Sequence, residues 1–191
     1  GSSLARMFKS DGAGVVTFDN LRRRGSERNV IDFQRRGIEF IHGDIRNAAD
    51  VDSIPGNFDL VIDASAEPSV LAGTDGNGIR YLNDTNLNGT LNCLEFVRTR
   101  KSQLIFLSTS RVYAIKALQE IKLREDKTRF TISETGNLPG LTAEGVTEDF
   151  PVTGHGFRSL YGATKLASEL FVEEYAQTFN MPAVINRCGV I

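Results

Sequence analysis

Tyr161 and Lys165, in the run Tyr161-Gly162-Ala163-Thr164-Lys165, stand four residues apart, a spacing that puts both side chains on one face of a helical turn. A phenol with an unperturbed pKa of about 10 is a poor base at neutral pH, but an ammonium one turn away favours the phenolate. Such a pair could take a proton from a substrate hydroxyl. The same spacing also suits an ordinary surface pair, so context matters. Upstream, Phe106-Leu107 runs into Ser108-Thr109-Ser110-Arg111-Val112-Tyr113, which places hydroxyls at the end of an apolar strand. Open parallel sheets bind their ligands at the carboxyl ends of their strands.

The elements that would position these residues alternate between short apolar runs and helical patterns, the signature of a parallel α/β sheet. Helices are expected at about 2–10, 27–36, 48–54, 79–99 and 160–179. Strands are expected at about 15–18, 38–41, 58–63, 103–107 and 183–187, all in one parallel sheet. Residues from about 114 to 157 break the rhythm with mixed charges and Gly136, Pro139, Gly140, Gly154 and Gly156, and read as an inserted loop region.

The 191 residues suit one domain, and a formal charge of −2 excludes a general nucleic-acid binder. No apolar run is long enough to cross a bilayer. Cys93 and Cys188 lack any metal-ligand spacing, so neither a metal site nor a disulfide framework is expected, and a reduced cytoplasmic setting fits. His42 and His155 read as packed or loop residues outside the chemistry.

Several motifs together resemble the extended short-chain dehydrogenase/reductase family, whose members act on nucleotide-activated sugars. These are Ser108 to Tyr113, Tyr161 with Lys165, the helix motif Asn86-Leu87-Asn88-Gly89-Thr90-Leu91-Asn92, the strand-end acid Asp19, and Gly43-Asp44-Ile45. The resemblance covers the chain outside the 114–157 insertion. It implies a Rossmann-type doubly wound parallel sheet that is incomplete at both ends, lacking the first strand and the C-terminal substrate domain. Residues 1–191 would then be a partial NAD-binding domain.

The resemblance assigns catalysis to Thr109, Tyr161 and Lys165. For the cofactor, NAD, it implies contacts from Gly1, Asp19, Asn20, Arg22, Asp44, Ile45, Ala64, Ser65, Ala66, Asn86 and Cys188, besides Tyr161 and Lys165. Asp19 would bind the adenosine ribose and repel a 2′-phosphate, favouring NAD over NADP, with Arg22 acting the other way. Glu67, Ser110 and Arg111 would meet a nucleotide-sugar substrate. Within the family, 4,6-dehydratases carry an Asp-Glu pair where this chain has Ser110 and Arg111, so the expected activity is epimerisation. The alternatives are a dehydratase, a dehydrogenase or reductase that releases its cofactor, and a non-catalytic NAD sensor. A homodimer or higher homo-oligomer would form through the helices at about 79–99 and 160–179, using Leu87, Leu91, Leu94, Phe171 and Tyr175 as core or contact residues.

Overall fold

Each apolar run is bounded by residues that stop a helix or open a turn, and the chain folds into successive βα units, described in a computed structural model for residues 1–152 and 156–189. His155 and Gly154 lie outside the described residues. Helix α1 (Ser2–Ser10) ends beside Gly12, which takes a φ of 90° that other residues rarely adopt. Strand β1 (Val16–Asp19), helix α2 (Glu27–Arg35) and strand β2 (Glu39–His42) form the first unit. Helix α3 (Ala48–Asp52) starts at Asn47, whose side chain accepts from the Ala49 N–H, and strand β3 (Leu60–Asp63) comes next.

The helix expected over 79–99 is three pieces: α4 (Ile79–Asn83), a π-helical turn (Asp84–Asn88) and α5 (Gly89–Arg100). Strand β4 (Gln103–Thr109) passes into a 3₁₀ turn (Ser110–Val112).

The insertion carries more structure than a loop: helix α6 (Ile115–Gln119), and two antiparallel pairs, β5 (Leu123–Glu125) with β6 (Phe130–Ile132), and β7 (Leu141–Thr142) with β8 (Gly145–Val146). Its order comes from a small core of its own. Leu141 and Phe150 pack with Val112 and Tyr113, and the Tyr113 and Phe150 rings meet edge to face with centroids 5.4 Å apart. The long helix α7 (Leu160–Thr178) then leads to strand β9 (Ala183–Cys188).

All expected strands pair in parallel, but not in one sheet: β1 pairs with β2, and β3, β4 and β9 form a separate sheet in that order. Among the described residues, no strand of this chain lies between β1 and β3. Apolar packing bridges the two pieces instead, where Val51, Ile54 and Phe96 meet Phe18, Ile41 and Val61. The main core lies over β4, where Leu94 and Val97 of α5 and Val172 of α7 cover Leu104 and Phe106. No helix among the described residues is long and apolar enough to cross a membrane.

Candidate catalytic and cofactor site

Thr109 ends β4, and its hydroxyl oxygen accepts the Arg111 N–H at 3.2 Å, which turns the chain into the 3₁₀ segment. Helix α7 begins beside it. Ser159 caps that helix by accepting from the Gly162 N–H at 3.1 Å. Gly162 lies so close to the turn that an added Cβ would overlap the Arg111 carbonyl oxygen. The contact presses the first turn of α7, which carries Tyr161, onto the turn after Thr109. The Arg158 guanidinium secures the same place by donating to the carbonyls of Val112, at 2.6 Å, and Val152. Ser110 is partly buried and Arg111 exposed at this edge.

Gly162→Ala tests that packing because two effects oppose each other. Alanine favours a helix by about 1 kcal/mol, whereas overpacking costs about 1–3 kcal/mol, and a backbone carbonyl cannot rotate away as a side chain can. The expected result is a lower denaturant midpoint and reduced turnover. A more stable Ala variant would mean that the two turns are not in contact.

Lys165 lies one turn further along α7, 1 % exposed, with its Nζ 3.8 Å from the centroid of the Phe106 ring. Among the described residues that Nζ has no hydrogen-bond partner. Burial pushes the Lys165 ammonium below the usual lysine range, while the charges of Asp63 and Glu169 act in the opposite direction. A turn beyond it, Glu169 is also 1 % exposed. Glu169 is paired with Arg187 of β9 at 2.9 Å and accepts from the Ser108 hydroxyl. Arg187 in turn donates to the Tyr113 hydroxyl at 3.4 Å.

Sequence reasoning passed over Asp63, Glu169 and Arg187. A signal for Glu169 was present, because it stands four residues after Lys165 on the same helical face. Asp63 also closes an otherwise apolar strand, an unusual place for an acid unless something in the fold needs it.

On the expected cofactor side, Asp19 is exposed at the carboxyl end of β1, and its Oδ1 accepts the Leu21 N–H at 2.7 Å. That turn holds Leu21 at a φ of 53°. Asn20, Arg22 and Asp44 line a cavity of about 450 Å³ with His42, Gly43, Arg46, Asp50 and Ser53. The Arg22 guanidinium stacks 3.9 Å above the Tyr81 ring. The Asp44 carboxylate is largely committed to protein partners. Arg46 binds it at 2.6 Å and Asn20 donates to it at 3.1 Å, which holds its carboxyl well below the usual carboxylate range.

Ile45 faces inward, packed against both Val61 clusters of the core and close to Gly89, where an added Cβ would stand 2.8 Å from its Cγ2. Ala64, Ser65 and Ala66 form the loop after β3, and Gly1 lies against it, with an added Cβ 3.8 Å from that of Ala64. Cys188 is exposed and pairs in register with Thr109.

Asn86 departs from expectation. It is fully buried, accepts the Glu67 N–H at 2.7 Å, and donates to the Glu67 carbonyl and the Thr164 hydroxyl, each at 3.3 Å. With its amide occupied in this way, it is a strut that fastens the 64–67 loop to α7. Glu67, assigned to the substrate, is thereby held by its backbone, and its Oε1 accepts the Ser69 N–H at 3.2 Å. The π-helical turn contributes to the same junction: the Asn86 carbonyl accepts from the hydroxyls of Thr90, at 3.0 Å, and Ser168, at 2.8 Å. Such turns recur at functional sites.

Parallel strands whose carboxyl ends carry Asp19, the 64–67 loop and Thr109 define a Rossmann-type nucleotide-binding fold. The chain belongs to the NAD dependent epimerase/dehydratase family, whose profile matches residues 1–191. That membership bears out the resemblance drawn from the sequence motifs.

Among curated relatives, the chain is 32% identical over 192 residues to CDP-paratose 2-epimerase of Salmonella typhi, covering 98% of this chain and 53% of that enzyme. It is 28% identical over 175 residues to dTDP-glucose 4,6-dehydratase of Mycobacterium tuberculosis, covering 92% and 44%. Among solved structures, UDP-glucuronic acid 4-epimerase from Bacillus cereus in complex with NAD superposes with a TM-score of 0.70 at 23% identity, covering all of this chain and 53% of that one. The chain spans about half the length of the curated relatives it matches.

Proposed function

We propose that this chain forms the cofactor-holding and catalytic half of an NAD-dependent nucleotide-sugar epimerase similar to CDP-paratose 2-epimerase. The observation that carries the reading is the buried Lys165 ammonium, which has no hydrogen-bond partner among the described residues and lies one helical turn from Tyr161. A buried cation without hydrogen-bond partners is costly unless a ligand supplies them. The hydroxyls of a nicotinamide ribose suit it, and small Ala64, Ser65 and Ala66 leave room beside them. The exposed Asp19 carboxylate suits an adenosine ribose.

In this reading Tyr161 accepts the proton of a sugar hydroxyl, and Thr109 hydrogen-bonds the same oxygen as the carbon becomes a ketone. Lys165 orients the ribose and stabilises the charge on Tyr161. Bound NAD supplies the acceptor and donor for the migrating hydride. Inversion by this scheme would need no external oxidant. Ser110 and Arg111, in the 3₁₀ turn that follows Thr109, would meet the substrate. Phe171 of α7 is 42 % exposed, and with its neighbour Leu170 it offers a contact for a second copy in a homodimer; Leu94 is instead core, and Tyr175 is engaged by Glu95 at 2.7 Å.

Incubating the whole protein with a panel of nucleotide sugars tests the reading, with epimerised product expected and no net NADH. Products lacking a molecule of water would assign it to the dehydratases instead. Cofactor choice is tested by Asp19→Ser, which removes charged hydrogen bonds worth about 1.5–3 kcal/mol. NAD affinity should fall about 10- to 100-fold, and NADP should lose less because the repulsion of its 2′-phosphate is relieved. Tighter binding of NADP than NAD by the wild type would contradict the role given to Asp19.

A further inference from the structure

Two side chains of opposite charge lie buried on one face of the sheet, and among the described residues neither has a charged hydrogen-bond partner. Among the described residues Lys165 Nζ has no hydrogen-bond partner. Asp63 is 4 % exposed, and the groups that donate to it are neutral: the Ser65 N–H at 3.0 Å, the Ser65 hydroxyl at 2.6 Å and the Thr90 hydroxyl at 3.2 Å. Buried charges are normally paired, because each alone carries a desolvation cost of several kcal/mol.

Strand register brings the two together. Asp63 is the cross-strand partner of Phe106, whose ring lies 3.8 Å beneath Lys165 Nζ. Paired residues on neighbouring strands stand side by side, about 5 Å apart, and point to the same face. Thr90 comes from α5, which packs with α7 over that face of β4. Asp63 therefore flanks the ring on which the ammonium rests.

The other buried acid nearby already has its cation, since Arg187 binds Glu169 at 2.9 Å. The remaining ionisable groups acting on Lys165 are the thiols of Cys93 on α5 and Cys188 on β9. None of these is a fixed anion comparable to Asp63.

We propose that Asp63 is the counter-charge of Lys165, a positioning residue that keeps the ammonium charged in its buried place. Through Ser65 it ties that charge to the loop that carries Ala64 to Glu67. Its effect on cofactor binding rests on the function proposed above, but the pairing of charges does not. A cycle of variants in the unliganded whole protein separates the two.

Asp63→Asn should lower the denaturant midpoint in wild type, yet leave it unchanged or raise it in a Lys165→Met background, where the carboxylate has lost its cation. Asp63→Ser repeats the removal of charge with a smaller side chain. In NAD titrations across pH, removing the carboxylate should move the loss of affinity at high pH downward by about one to three units, because the ammonium then gives up its proton sooner. Asp63→Glu, which keeps the charge, should restore part of that shift. An equal drop in midpoint in both backgrounds, loss of folding in both, or a high-pH limb that does not move would overturn the proposal. Should the wild type bind no NAD, the cofactor reading fails while the stability cycle still decides whether the charges are paired.

Discussion

Tyr161→Phe is expected to reduce turnover of the nucleotide sugar about 100- to 10,000-fold while leaving NAD affinity within a few-fold of wild type. Phenylalanine keeps the ring and therefore the packing of α7 on the 3₁₀ turn, where Gly162 and Ser159 fix the first helical turn independently of the phenol. What is lost is the phenol that, in the proposed mechanism, would accept the substrate proton, and Thr109 would not replace it, because a hydroxyl hydrogen-bonds the oxygen without removing its proton. Single-turnover measurements in the presence of bound NAD would isolate that step. Wild-type rates for Tyr161→Phe on a sugar nucleotide that the protein does turn over would remove Tyr161 from the mechanism.

Lys165→Met should have the larger effect, since it removes both the expected ribose contact and the charge beside Tyr161. Methionine keeps the length of the side chain and suits a site lined by Phe106, so the fold should survive, as near-ultraviolet circular dichroism would report. Affinity for NAD and turnover should fall together, in contrast with the selective loss in Tyr161→Phe. The wild type should also show a pH dependence. Burial places the Lys165 ammonium below the ordinary lysine range, so binding that needs the charged form should weaken as pH rises through that lowered value. In Lys165→Met this limb should be absent. A limb that survives the substitution would belong to another group.

The parts of this protein that could be read from its residues are those in which local pattern and tertiary demand agree. Leu60 to Asp63 and Gln103 to Leu107 are apolar runs between turn formers, and they are strands. The spacing of Tyr161 and Lys165 is a helical property, and α7 carries both. The unread parts depend on distant partners. Nothing near Asp44 announces that Asn20, twenty-four residues away, would share its carboxylate with Arg46. The strands of the insertion are only two or three residues long, too short for alternation to show, and it is the packing of Leu141 and Phe150 on Val112 and Tyr113 that orders them. Pairing partners, too, lie outside local pattern: β1, β2, β3, β4 and β9 are each legible as runs, but the separation of β1 and β2 from β3, β4 and β9 is not.

The widened turn at Asp84–Asn88 also sets the rotational phase of α5. An α-helix advances about 100° per residue, so one residue more or less in this turn would rotate all of α5 by more than a quarter of a revolution. Leu94 and Val97, which now face the sheet, would swing toward water, and Thr90 would lose its line to Asp63. A substitution at a loop tip changes one contact, whereas a single-codon deletion here would misalign a whole helix with the lysine site it helps to enclose. Length within this five-residue segment is therefore held as tightly by the architecture as the identity of any side chain on it.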